Sequence, residues 1–342
     1  MFKDFYGNAH VTSALEQMIA QGRLAQTLLF SGPEGTGKAT LARRLGQRLL
    51  PHPELIERDD LSLPENVELV AGREKWPAEK RNEDPLQFAS HPDFVTFAPD
   101  GPMRQISIPQ TRLLKERAQF LPHQGNRRVF LIDHVDRANE QAANSLLKTL
   151  EEPPDHLILI MTAENAYDLL PTIRSRAVPF YFAPLTADEM RDFVSRRGLQ
   201  HPERRIQLGA GSPGVAASID LEAYDRRRAA MMVLLKAAAG SSPFATWVPV
   251  GESIARSKSE KLELYLKVLY DLLRDLLVLG QGGGPIRNED VRRELETLAG
   301  RVSFPWIRKA VAQVDELVEF MRRNIQKSIA LDALILNLRS AA

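Results

Sequence analysis

A chain of 342 residues is long enough for two to three domains at ~150 residues each, and a chain of this size buries ~75% of its unfolded surface. Hydrophobic residues at 44% and charged residues at 26% exclude the disordered and fibrous classes, and the lack of cysteine excludes a disulfide framework, a thiol nucleophile and a cysteine-ligated metal. Lys and Arg at 45 against Asp and Glu at 44 leave a net charge of +1, so only a local basic patch, not bulk charge, would draw a polyanion.

The opening Met1-Phe2-Lys3-Asp4-Phe5 carries acid and no apolar core, so no signal peptide is expected. The most apolar late stretch, Leu272 to Leu279, is interrupted by Arg274-Asp275, far short of the ~20 residues a membrane helix needs. The expectation is a soluble cytoplasmic protein.

In chain order, Thr27-Leu28-Leu29-Phe30 is a short apolar run closing on glycines, followed by Gly32-Pro33-Glu34-Gly35-Thr36-Gly37-Lys38-Ala39-Thr40. Residues 51–92 break the rhythm with six prolines and fifteen charged residues, and read as either an inserted lobe or a mobile excursion. Further apolar runs follow at Phe94 to Phe97, at Val129 to Ile132 leading into Asp133, at Leu157 to Met161 leading into Thr162, and at Val178 to Phe182. Runs of this kind suit strands buried on both faces of a parallel sheet. Between them Ala142, Ala143, Leu146, Leu147 and Leu150 recur at helical spacing, with Asn139 placed to cap the start and Pro153-Pro154 to stop the helix. Residues 1–183 are thus predicted to form one doubly wound α/β unit. Thr186-Ala187-Asp188-Glu189 reads as a capping box opening a helix towards Gly198. Gly209 to Gly214 is a glycine-rich break. From about 221 onward long amphipathic helices dominate, as at Leu262, Leu266, Leu269 and Leu273, with a glycine-rich link at Gly280 to Gly284. No internal repeat is visible.

The spacing from Gly32 through Gly35 and Gly37 to Lys38 matches G-x-x-x-x-G-K, in which glycines let backbone N–H groups wrap phosphates and the lysine neutralises charge. A plain glycine turn is the alternative. The next residue in such loops is Ser or Thr, whose hydroxyl holds Mg²⁺; here it is Ala39. Thr40, one residue further, is rotated ~100° round the helix. ATP or ADP is therefore a candidate ligand with an impaired magnesium site. Asp133 ends a strand where the second metal-organising carboxylate belongs, and the residue after it, a water-polarising glutamate in hydrolysing AAA+ proteins, is His134. His134 is either a proton acceptor or a surface histidine at an element's end. With both parts altered, hydrolysis at this site is expected to be negligible.

The runs Leu131-Ile132-Asp133, Asn144-Ser145-Leu146-Leu147-Lys148-Thr149-Leu150-Glu151-Glu152-Pro153-Pro154 and Thr172-Ile173-Arg174-Ser175-Arg176 resemble the clamp-loader branch of the AAA+ proteins. Within it the pattern is most similar to the delta-prime family of bacterial DNA polymerase III clamp-loader subunits, over essentially the whole chain. The resemblance implies three parts. A RecA-like parallel-sheet domain spans 1–183, with 51–92 in the slot of a zinc module. A small helical lid spans 184–220, and a helical collar that forms the oligomer spans 221–342. It implies that Arg176, positioned by Ser175, is an arginine finger for a neighbour's nucleotide, worth ~10³–10⁵ in rate; otherwise Arg174 and Arg176 merely pair with surface acids. It places Thr162 at a polar sensor position, or else Thr162 is a satisfied strand-end hydroxyl.

Departures are also visible. Ala177 replaces a cysteine of the finger motif, zinc is excluded in 51–92, and Pro213-Gly214 stands where motor subunits carry a nucleotide-sensing arginine. Arg43, Arg44, Arg48, Arg127 and Arg128 are either phosphate-backbone contacts to DNA or solvated cations. The expected partners are gamma/tau motor subunits, a delta subunit, and through the complex a sliding clamp and primer–template DNA, with no membrane. Competing expectations are an active gamma/tau-type motor ATPase and a pure scaffold.

Overall fold

The computed structural model describes residues 2, 5–257, 261–321 and 326–340; of the opening stretch read for a leader, Met1, Lys3 and Asp4 lie outside them. The chain divides into two compact units, residues 1–199 with 211–215, and residues 200–210 with 216–342.

The first unit is built on a six-stranded sheet. Its strands are β1 (Thr27–Ser31), β2 (Phe88–His91), β3 (Phe94–Phe97), β4 (Arg128–Ile132), β5 (Leu157–Ala163) and β6 (Val178–Tyr181). They lie in the order β2-β3-β4-β5-β1-β6, parallel throughout except for the antiparallel pair β2–β3. The predicted apolar runs are the five parallel strands. Side chains alternate across the sheet, so each run feeds two cores. Leu28, Phe30, Val129, Leu131, Ile158 and Ile160 pack under helices Ala9–Ala20 and Lys38–Leu49. Leu29, Phe130, Ile132, Leu159 and Met161 pack on the opposite face under Ile108–Ala118 and Glu140–Glu151. The latter helix starts as expected, with the Asn139 side chain accepting the Ala142 N–H at 2.8 Å. The capping box at Thr186 and Glu189 opens helix Ala187–Arg196.

Residues 51–92 form an inserted lobe, not an unstructured excursion. Three short helices, Pro53–Glu57, Pro64–Arg73 and Ala78–Glu83, precede the edge strand β2. Polar groups anchor the lobe because its apolar core is small: Val70, Leu86, Phe88 and Ala98. Buried Arg73 donates to both carboxylate oxygens of Asp100 at 2.8–3.2 Å and to the Asp84 carboxylate at 3.2 Å. Buried Asp59 accepts the β2 N–H of Ser90 on both oxygens, at 3.2 and 3.1 Å. Strand β2 escapes a pattern reading because only Phe88 and His91 of its four residues are buried.

The second unit is helical, with long helices Leu221–Ala238, Leu262–Gly280, Phe304–Met321 and Lys327–Arg339. Leu262, Leu266, Leu269 and Leu273 lie in its core together with fully buried Trp247, whose indole N–H donates to Asp332 at 2.7 Å. Asp275 and Asn288, both fully buried, satisfy one another: the Asn288 amide and backbone N–H each donate to Asp275 at 2.9 Å. Among the described residues no helix is long and apolar enough to cross a membrane.

Candidate functional site

The phosphate-type loop leaves the carboxyl end of β1, where α/β sheets place their ligands. Gly32 begins it and Gly37 hands over to helix Lys38–Leu49. Gly35, at φ 74°, and Gly37, at φ 92°, sit in the left-handed region, where a side chain strains the backbone. Gly35 also has no room for one: a Cβ there would lie 2.8 Å from the Val215 nitrogen. Its carbonyl accepts the N–H of Gly214 at 2.8 Å. The segment after the glycine-rich break, Pro213-Gly214, thus packs backbone to backbone on the loop, in the place expected for a nucleotide-sensing cation.

Lys38 is buried, and its Nζ donates to the carbonyls of Gly32 at 2.6 Å and Pro33 at 2.8 Å. An ammonium has three donors, so one remains. Burial lowers the Lys38 pKa from its ordinary value, while the carboxylates of Glu164, Asp133, Asp136 and Glu34 oppose that shift. Lys38, Asp133 and Thr162 are brought together at the same end of the sheet. The Thr162 hydroxyl donates to Asp133 Oδ1 at 2.6 Å and accepts the His134 N–H at 2.8 Å, which ties the ends of β4 and β5 to each other. Thr162 is therefore a satisfied strand-end hydroxyl whose partner is the acid that ends β4. His134 adopts a left-handed backbone, φ 53°. Its Nδ1 has no hydrogen-bond partner and stands 4.0 Å from Asp136 and 3.9 Å from Glu164. It is half-buried beside acids, which differs from a free surface histidine.

These residues fit a phosphate group, through the loop and the third Lys38 proton. They do not fit the accompanying Mg²⁺. Ala39 offers no oxygen, Thr40 is exposed on the helix surface, and Asp133 Oδ1 is engaged by Thr162. Among the described residues no group of three or more His, Asp or Glu side chains is arranged to hold a metal ion.

Ser175 and Arg176 lie elsewhere, on the turn between the short helix Pro171–Arg174 and β6. Arg176 donates through Nη1 to the Thr172 carbonyl at 2.8 Å and to the Ser175 hydroxyl at 3.3 Å. Its Nη2 pairs with Glu151 Oε1 at 2.5 Å. The Arg176 side chain stays 31% exposed, so another molecule can reach it. Beside it Arg174 stacks on Tyr167 at 4.9 Å, and that ring is itself exposed. Glu151 is legible in the sequence only as part of a motif, with no task of its own, and neither Glu164 nor Asp136 stands out there. The position of Glu164 just beyond a buried strand was the available signal.

Two of the basic residues weighed for DNA contact are ruled out as solvent-facing cations. Arg43 is buried and pairs with Asp60 and Glu57 of the inserted lobe. Arg128 is buried and donates to the carbonyls of Arg117, Phe120 and Pro92. Both act as braces because a buried guanidinium must find fixed acceptors. Arg48 remains exposed.

A phosphate-type loop after β1, an acid ending β4, and β1 seated between β5 and β6 in a parallel sheet define the AAA+ class of P-loop folds. Residues 78–186 match the family model described as DNA polymerase III, delta subunit. The chain is 28% identical to the DNA polymerase III subunit delta' of Escherichia coli (strain K12) over 222 residues, 64% of each chain. It is 31% identical to subunit gamma/tau of Mycobacterium tuberculosis (strain ATCC 25618 / H37Rv), over 57% of this chain and 31% of that one. The chain thus spans about a third of the length of the gamma/tau relatives it matches. Among solved structures, a DNA polymerase III gamma subunit-related protein from Thermotoga maritima aligns over 95% of this chain and 98% of that one, with 18% identity and a TM-score of 0.43. Over 60–64% of its length the chain is thus similar to subunits of DNA polymerase III.

Proposed function

We propose that this chain is a delta-prime-type clamp-loader subunit: one that does not hydrolyse ATP and lends Arg176 to the nucleotide of an adjoining gamma/tau-type motor subunit. Its place is at one end of a cytoplasmic subunit arc, beside a delta subunit, in an assembly that opens a sliding clamp and closes it round primer–template DNA. A single contrast carries the reading. Ser175 and Arg176 are intact and reachable, whereas Ala39, His134 and Pro213-Gly214 each lack the group that hydrolysis uses. A guanidinium suits this role because it stays charged and disperses charge on a transferring phosphoryl group. ATP or ADP held at Lys38 would be bound without turnover.

The test is ATP turnover by the assembled complex carrying Arg176→Ala. The expected result is a loss of ~10³ or more at the adjoining site, which removes that site's share of the clamp- and DNA-stimulated rate. An unchanged rate refutes the finger. The 31% identity to a gamma/tau subunit favours a second reading, an active motor ATPase. Magnesium-dependent phosphate release by the isolated chain, abolished by Lys38→Ala, would establish that reading instead.

A further inference from the structure

Glu151 is the last residue of helix Glu140–Glu151. A carboxylate there faces the negative end of the helix dipole, so the helix gives it no support. Its partner is Arg176, 25 residues further along the chain, at 2.5 Å. The same guanidinium rests on the Thr172 carbonyl and the Ser175 hydroxyl through Nη1. One edge of the fork is thus held by the chain's own backbone turn, and the Nη2 edge by a charge. Glu151 is 48% exposed and Arg176 31% exposed, so water and a second molecule both reach the pair.

We propose that Glu151 is the resident counter-ion of Arg176, a positioning residue that a phosphate group of the neighbouring subunit's nucleotide displaces. This rests on the finger reading given above. The carboxylate and the incoming phosphate are the same kind of ligand, since both accept N–H bonds from a planar guanidinium fork. They compete for Nη2, while the bonds to Thr172 and Ser175 keep the arginine in place during the exchange. An exposed ion pair of this type amounts to a factor of about 1.5 to 5 in an equilibrium constant. The counter-ion therefore weakens the engagement of the neighbour's triphosphate by that factor.

The experiment measures KM for ATP and kcat in the assembled complex, with Glu151→Gln, Arg176→Ala and the double variant. Glu151→Gln keeps an acceptor oxygen and removes the charge. The expected result is a KM lowered about 1.5- to 5-fold, with kcat within twofold of the unaltered complex and no KM shift when Arg176 is already alanine. A raised or unchanged KM, or the same shift in the Arg176→Ala background, overturns the counter-ion role while leaving the finger standing. If Arg176→Ala itself leaves turnover unaltered, the finger reading falls and the counter-ion role falls with it.

Discussion

Lys38 has a structural task as well as a candidate ligand. Its ammonium is buried and satisfies the carbonyls of Gly32 and Pro33, two acceptors at the root of the loop. Removing the donor leaves those carbonyls unpaired, at a cost of about 1–3 kcal/mol. Lys38→Ala is therefore expected to lower the stability of the isolated chain by that amount in urea unfolding. The same change should leave ATP turnover by the assembled complex intact, because the site lacks the oxygen of a metal-holding hydroxyl at Ala39. A large drop in turnover would place chemistry at Lys38 after all. His134 illustrates a different residue-level point. Its type is readable from the sequence, but its company of Asp136 and Glu164 depends on how β4 and β5 end beside each other.

Among the elements, the inserted lobe is anchored by buried polar groups, and Asp59 gives it a pH dependence. Burial pushes the Asp59 carboxyl above its ordinary value of 3.8, against the opposing Ser90 hydrogen bonds and the nearby Arg43. The folded state therefore binds the Asp59 proton more tightly than the unfolded state does. The stabilisation this provides is complete below the unfolded value and is lost as pH rises through the raised folded value. Asn at this position keeps one acceptor for the Ser90 N–H and does not titrate. The stability of the unaltered chain, relative to Asp59→Asn, should thus fall as pH increases from about 3.5 towards neutrality. Paired urea titrations across that range check the sign; a rising difference would contradict the burial argument. Pattern reading located this lobe by its breaks. It did not find the three helices or β2, because short segments with few buried apolar residues have almost no periodicity to detect.

At the scale of the whole molecule, each compact unit has its own apolar core, and in the second unit Trp247 is the largest fully buried side chain. Trp247→Ala opens a cavity and leaves the Asp332 carboxylate without its indole partner. The loss expected is about 3–5 kcal/mol. Hydrogen exchange read by mass spectrometry should show faster exchange in helices Leu221–Ala238, Leu262–Gly280 and Lys327–Arg339, with protection in β1 and β3–β5 retained. Equal loss of protection in the sheet would mean that the two units unfold as one.

The sequence alone determined what rests on short-range pattern: five parallel strands, the phosphate-type loop and its missing hydroxyl, the caps at Asn139 and Thr186, and the motif containing Ser175 and Arg176. Each is specified within a few neighbouring residues, where strand alternation, helical spacing and turn chemistry operate. Only the tertiary structure decided which charges meet. The pairing of Arg176 with Glu151, the acids round Lys38, the burial of Arg43 and Arg128, and the seating of Gly214 on Gly35 all join distant stretches of chain. Such contacts follow from how the sheet closes and how its loops cross, and no local residue pattern encodes a partner at that range.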